Sequence, residues 1–230
     1  MSGSRDVYDM LVNERVPWPP GGNTSFIPCD CLGENTFTNA IVRDKLCKEF
    51  PAEEEEQRIL KDTRYICANA KKIFSILLYG FEGYGERVRD IRKFVDEGIC
   101  DSDLPFIRIP RKKQEPGSYN NINYWLCTND HEKKCGGKHN EKCSIQAMAS
   151  WTPRALENFF TTQWMVQVPV FRKTNGDIPH QDFDQNAIMP YVEDFEKEAI
   201  KGGFSKVWKV KIHPAHQDLY DPKVTIRPLN

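Results

Sequence analysis

Five residues able to hold a soft metal ion recur at intervals of four: Cys127, His131, Cys135, His139 and Cys143. Thiolate and imidazole alternating in this way are the ligand types of a tetrahedral zinc site. Gly136 and Gly137 in the middle favour a knuckle between two ligand pairs over a continuous helix. The competing readings are a polar insert with incidental cysteines and a disulfide or redox role. Lys133, Lys134, Lys138 and Lys142 suit an exposed loop as well as a bound cation. Cys29 and Cys31 stand two apart, closer than a chelating C-x-x-C pair, and read as ordinary loop cysteines. Cys67 falls on an apolar helical face and reads as packing.

A second chemical candidate lies near the other end of the chain. In Ile200, Lys201, Gly202, Gly203, Phe204, Ser205, Lys206 and Val207, small residues join two β-prone runs. Glycine lets backbone N–H groups approach phosphate oxygens, and an apolar residue after the loop can cover a base. A Gly-Gly hairpin is also a common plain turn. His213 and His216 flank Pro214 beyond it and read as a turn with solvent-facing imidazoles. Arg108, Arg111, Lys112 and Lys113 are either exposed loop charge or a contact for phosphate or an acidic partner.

The stretch EAIKGGFSKVWKV, Glu198 to Val210, resembles the first two strands of eukaryotic protein kinases, whose loop reads G-x-G-x-x-G-x-V. Gly202 matches the central glycine, Phe204 the aromatic at the tip, and Val207 the valine that contacts adenine. Ile200 stands at the first glycine position and Ser205 at the third. The longer run IMPYVEDFEKEAIKGGFSKVWKVKIHPAHQ is similar to the start of the kinase domain in a group of fungal protein-kinase-domain proteins with an N-terminal accessory region. ANAKKIFSILLYG, IRKFVDEGICDSDLPF and FFTTQWMVQVPVF resemble that accessory region, so the likeness spans residues 25–106 and 150–216.

The resemblance implies ATP with magnesium bound by the glycine loop, phosphorylation of Ser or Thr in full-length relatives, and a protein substrate or partner. Arg227, in Val224, Thr225, Ile226, Arg227, falls where the third-strand lysine belongs, keeping its charge and not its geometry. No αC glutamate, HRD aspartate or DFG aspartate follows the loop. Asp182, Phe183 and Asp184 precede it, the wrong order for a magnesium-binding DFG. The expectation is a truncated kinase without turnover. The alternative is an intracellular protein-interaction module stabilised by zinc, with no nucleotide bound.

These candidates need elements to position them. Phe37, Ile41, Val42, Leu46 and Phe50 recur at helical spacing, and Ile59 to Leu78 step by three or four, which predicts one long core helix. The acidic run Glu53 to Glu56 suits the positive end of that helix. Gly80, Gly83 and Gly85 end it, and a shorter helix through Val88, Ile91 and Val95 closes at Gly98. Thr152 and Pro153 read as N-cap and first residue of a helix through Phe159 and Phe160. Trp164, Val166, Val168 and Val170 alternate as a strand would, and Phe195–Ile200 and Lys206–Ile212 read as two more.

The predicted class is α+β: a flexible arm over residues 1–24, a helical accessory domain over 25–106, a Cys/His-rich insert over 107–149, a helix-strand connection over 150–189, and an incomplete kinase N-lobe over 190–230. A chain of 230 residues, 39% hydrophobic, can bury one good core. Thirty-two Lys and Arg against 33 Asp and Glu leave a formal charge of −1, which argues against nucleic acid or anionic membrane as a partner. No signal peptide and no run of roughly 18 apolar residues is present, so a cytoplasmic or nuclear protein is expected, its eight cysteines mostly thiols.

Overall fold

The computed structural model describes residues 6–52, 55–80, 87–110, 124–130, 144–192, 200–201, 206–207 and 210–219. Helices and small two-stranded sheets make a mixed α and β fold. The helices are α1 (Val7–Glu14), α2 (Asn39–Glu49), α3 (Glu56–Asn69), α4 (Lys71–Tyr79), α5 (Ile91–Glu97) and α6 (Pro153–Val166). The strands pair as β1 (Val16–Trp18) with β2 (Thr24–Phe26), β3 (Ile107–Pro110) with β4 (Tyr124–Cys127), β5 (Phe171–Arg172) with β8 (Gln217–Asp218), and β6 (Ile200–Lys201) with β7 (Lys206–Val207). Among the described residues, only β5 and β8 run parallel.

The core is centred on α4, where Ile73 to Leu78 are all buried. An aromatic stack extends it. Phe106 lies flat on Phe159 with centroids 5.2 Å apart, Phe94 stacks on Phe159 at 6.2 Å, and Trp151 closes the stack edge-on. The side-chain amide of Gln163, buried, donates to the Phe106 carbonyl at 3.2 Å and accepts from its N–H at 2.8 Å. It bonds Phe106 as a strand partner would and ties the start of β3 to α6. Arg108 stacks 4.0 Å over Phe160 and pairs with Glu157 at 2.7 Å. It is a structural strand residue, a correction to its reading as loose loop charge.

Residues 6–26 are not a loose arm. Asp6 caps α1 by accepting from the Tyr8 N–H, Val7 and Leu11 are buried, and β1 and β2 place Phe26 in the interior. Two buried residues in an eight-residue helix give too short a period to read beside the Pro and Gly that follow.

The single helix expected over 59–78 is two, broken at Ala70, whose φ is −138°. Both carboxylate oxygens of Asp101 accept from the first N–H groups of α4, Lys72 at 3.0 Å and Ile73 at 3.1 Å. A distant cap therefore starts a new helix inside an unbroken apolar pattern. Glu56 sits in the first turn of α3, while Glu53 and Glu54 lie outside the described residues. Gly80 ends α4 where a Cβ would meet the Thr162 hydroxyl at 2.8 Å, so glycine permits the close approach of α4 and α6. Gly83 and Gly85 are also outside the described residues. Gly98 closes α5 at φ 72°.

Thr152 caps α6, accepting from the Ala155 N–H, with Pro153 as first residue. The helix then runs to Val166, which overturns the strand expected over 164–170. Leu156, Phe159, Thr162, Gln163 and Val166 make one buried face, so helical burial outweighs the β preference of Val166, while Val168 and Val170 follow the helix without strand pairing. Residues 107–149 are not all loop either: β3 and β4 form a hairpin that buries Leu126 and Cys127, and Ile145, Ala147 and Met148 return to the core. Of the strands expected over 195–200 and 206–212, pairing covers 200–201 and 206–207, and Ile212 forms an isolated bridge with Tyr191.

Candidate functional site

Two features meet where the chain leaves the glycine hairpin. Ile200 pairs with Val207 and Lys201 with Lys206, antiparallel, on either side of residues 202–205. Gly202, Gly203, Phe204, Ser205 and Arg227 lie outside the described residues. The base of this unit is held on both strands of entry and exit: Val192 N–H donates to the Lys211 carbonyl at 2.9 Å and His213 N–H to the Pro190 carbonyl at 2.7 Å.

The exit segment is clasped to the body of the fold by His216. Its Nε2 accepts from the Cys29 N–H at 3.0 Å, and its Nδ1 lies 3.0 Å from the Pro169 carbonyl. A carbonyl only accepts, so Nδ1 carries the proton and the ring is the neutral Nδ1–H tautomer. The Phe26 ring meets the imidazole edge-on at 5.4 Å. Burial pushes the His216 pKa below 6.5, against the pull of the Pro169 hydrogen bond. His216 is 1% exposed and His213 half-buried, which overturns the expected pair of solvent-facing imidazoles.

Cysteine beside histidine raises the question of nucleophilic catalysis, and the geometry answers it. The imidazole nitrogen faces the backbone N–H of Cys29, while the thiol donates to the Ala215 carbonyl at 2.7 Å. Burial and the Asp30 carboxylate raise the Cys29 pKa, and burial, Asp30 and Glu14 push Cys31 up to about 12. Both shifts disfavour the thiolate, the form a nucleophilic cysteine needs. Nearby, the Lys72 ammonium donates to Gln167 Oε1 at 3.2 Å, its pKa lowered by burial and partly restored by Asp101 and Cys29. The cluster is an anchoring device.

Of the zinc candidates, Cys127 ends β4 and is buried, whereas His131, Cys135, His139 and Cys143 lie outside the described residues. Among the described residues no group of three or more His, Cys, Asp or Glu could hold a metal. Cys29, Cys31, Cys47, Cys67, Cys100 and Cys127 form no disulfide among the described residues. No described helix is long and apolar enough to cross a membrane.

Sequence reasoning missed the clasp because its partners, Cys29, Pro169 and His216, lie far apart in the chain and share no periodicity. The signal it had was a histidine pair around a proline, which is indistinguishable from an exposed turn until Phe26 is known to cover it. No protein-family model, no curated protein and no solved structure matches this chain.

Proposed function

We propose that the chain is the helical accessory region and opening hairpin of a Ser/Thr-type eukaryotic protein kinase, and that the 230 residues transfer no phosphoryl group themselves. The observation that carries this reading is the pairing of Ile200 with Val207 around Gly202 and Gly203, closed at its base by the Tyr191–Ile212 bridge. A phosphate-facing loop needs its two flanking strands held in register so that successive N–H groups converge. In longer relatives Gly202 and Gly203 approach the phosphates of Mg-ATP, Val207 lies against adenine, and Phe204 caps the loop. Arg227 stands in for the phosphate-binding lysine.

The helical body holds the hairpin's exit through His216 and supplies the surface for a protein partner. One wall of a nucleotide site, without an αC ion pair, a DFG magnesium site or an opposing lobe, makes a fraction of the usual contacts, so ATP affinity is weak. Two experiments test this. Mapping the transcript beyond the codon for Asn230 should find HRD-type and DFG-type motifs in frame, and their absence speaks for a stand-alone module. A radiolabel transfer assay on the 230-residue protein should be blank, and transfer abolished by Gly202→Val overturns the proposal.

A further inference from the structure

Asn175 and Gly176 are the only Asn-Gly pair in the sequence, and they form the tip of a two-residue turn. Thr174 and Asp177 bridge across it. The Thr174 N–H donates to the Asp177 carbonyl at 2.7 Å, and the Asp177 N–H to the Thr174 carbonyl at 3.1 Å. With φ of 54° at Asn175 and 89° at Gly176, this is a type I′ turn. We propose that Asn175 is a site of spontaneous covalent modification, converted through a succinimide to isoaspartate and aspartate, and that opening of this turn limits the reaction.

The chemistry needs a backbone nitrogen beside a carboxamide. The Gly176 nitrogen attacks Asn175 Cγ, and the new C–N bond closes a cyclic imide. The Cγ–Nδ2 bond breaks, and Nδ2 leaves as ammonia with the proton lost by the attacking nitrogen. Water then adds to one of the two imide carbonyls. Opening at the side-chain carbonyl restores the main chain and gives aspartate, whereas opening at the main-chain carbonyl routes the backbone through Cγ and gives isoaspartate. A water is taken up and an ammonia released, with no change of oxidation state. A side chain on the following residue crowds the ring closure, and glycine has none. Every other asparagine with a residue after it is followed by one that carries a side chain.

The setting leaves the reacting groups open. Among the described residues, the Asn175 carboxamide and the Gly176 N–H have no hydrogen-bond partner. Residues 172–186 are all exposed, and a Cβ placed on Gly176 would meet no heavy atom within 4 Å. Water therefore reaches the imide, and the carboxylate formed stays solvated. Isoaspartate adds a backbone atom to the turn, so the Thr174–Asp177 pair cannot re-form in register. Either product adds a carboxylate two residues from Asp177.

The closed turn opposes the attack. The first central residue of a type I′ turn holds ψ at about 30°, which points the next nitrogen away from its own Cβ. Ring closure needs that nitrogen eclipsed with Cβ, so Asn175 must rotate about its Cα–C bond and the bridge must break. Two backbone hydrogen bonds of ordinary net strength keep such a turn closed roughly ten to a hundred times as often as open. The bridge is isolated and residues 173–178 are exposed, so this opening is local and leaves the core folded.

The full chain is incubated at mildly alkaline pH, which deprotonates the attacking nitrogen more often, beside a synthetic peptide of residues 171–180. Mass spectrometric peptide mapping follows every asparagine. The expected first site is Asn175, with aspartyl and isoaspartyl products that separate by chromatography, at a rate about tenfold or more below that of the free peptide. Thr174→Pro removes one bridge donor and should bring the chain to within about threefold of its matched peptide, with an unchanged circular dichroism spectrum. Asn175→Gln, whose longer side chain disfavours the ring, should stop conversion at this site. Another asparagine reacting first, equal rates in chain and peptide, a folded Thr174→Pro chain no faster than the parent, or no conversion at Asn175 after about a hundred half-times of the peptide overturns the proposal.

Discussion

Replacing His216 with alanine should release the exit of the glycine hairpin while leaving the helical core folded. The substitution deletes the acceptor of the Cys29 N–H and the donor to the Pro169 carbonyl, each at 3.0 Å, together with an edge contact to Phe26. A buried polar group left without its partner costs about 1–3 kcal/mol, and an aromatic edge contact adds about 0.5–1.5 kcal/mol. Cys29 is only half-buried, so water recovers part of the loss. The sum expected for opening of residues 210–219 is about 2–4 kcal/mol. At about 1.36 kcal/mol per decade this is roughly a 30- to 800-fold acceleration of local exchange.

The assay is amide hydrogen exchange at Val192, His213 and His216, whose N–H groups bond the carbonyls of Lys211, Pro190 and His213. Exchange in α4, which makes no contact with His216 through these bonds, should stay within about threefold of the parent. Acid should reproduce the effect. Protonation at Nε2 destroys the acceptor of the Cys29 N–H, and burial holds the folded pKa below 6.5. Below 6.5 the open state then binds more protons than the clasped one. The contribution is fully present above about pH 6.5 and is lost as pH falls towards the folded value. Corrected for intrinsic rates, exchange should step up over that window in the parent and not in His216→Ala. Acceleration of less than about threefold on mutation, or a pH step that survives it, would refute the clasp.

Asp62, fully buried between Arg58 at 2.9 Å and Arg92 at 3.1 Å, joins α3 to α5, and Asp62→Ala should cost about 3 kcal/mol by urea denaturation; a loss under about 1 contradicts the pairing. Thr152→Ala removes the cap of α6 and should cost about 1 kcal/mol, with Thr152→Ser close to the parent in a thermal melt. The zinc alternative predicts about one zinc per chain in protein purified without chelator; less than about 0.2, or full retention after Cys135→Ser with Cys143→Ser, removes it.

Where the sequence carried a local signal, the elements were legible. Thr152 before Pro153, and Gly98 after Val95, are end signals that act over a few residues, and both ends stand where expected. What escaped were features decided at a distance. Asp101 cuts an uninterrupted apolar helix at Ala70, and Phe159 and Gln163 hold Trp164 and Val166 in a helix that ends before Val168 and Val170. Trp18 and Trp164 could be noted singly in the sequence, but nothing in their spacing brought them to one cleft with Arg108. The glycine hairpin was legible because its flanks are β-prone and its centre is small, and its strands 200–201 and 206–207 do pair.

The measurement closest to the central claim is a titration of the 15N-labelled chain with Mg-ATP, followed residue by residue. A nucleotide-facing hairpin predicts shifts confined to Gly202, Gly203, Phe204 and Val207, growing into the millimolar range and lost in Gly202→Val. Shifts that leave those four residues untouched, or that persist unchanged in Gly202→Val, would contradict it.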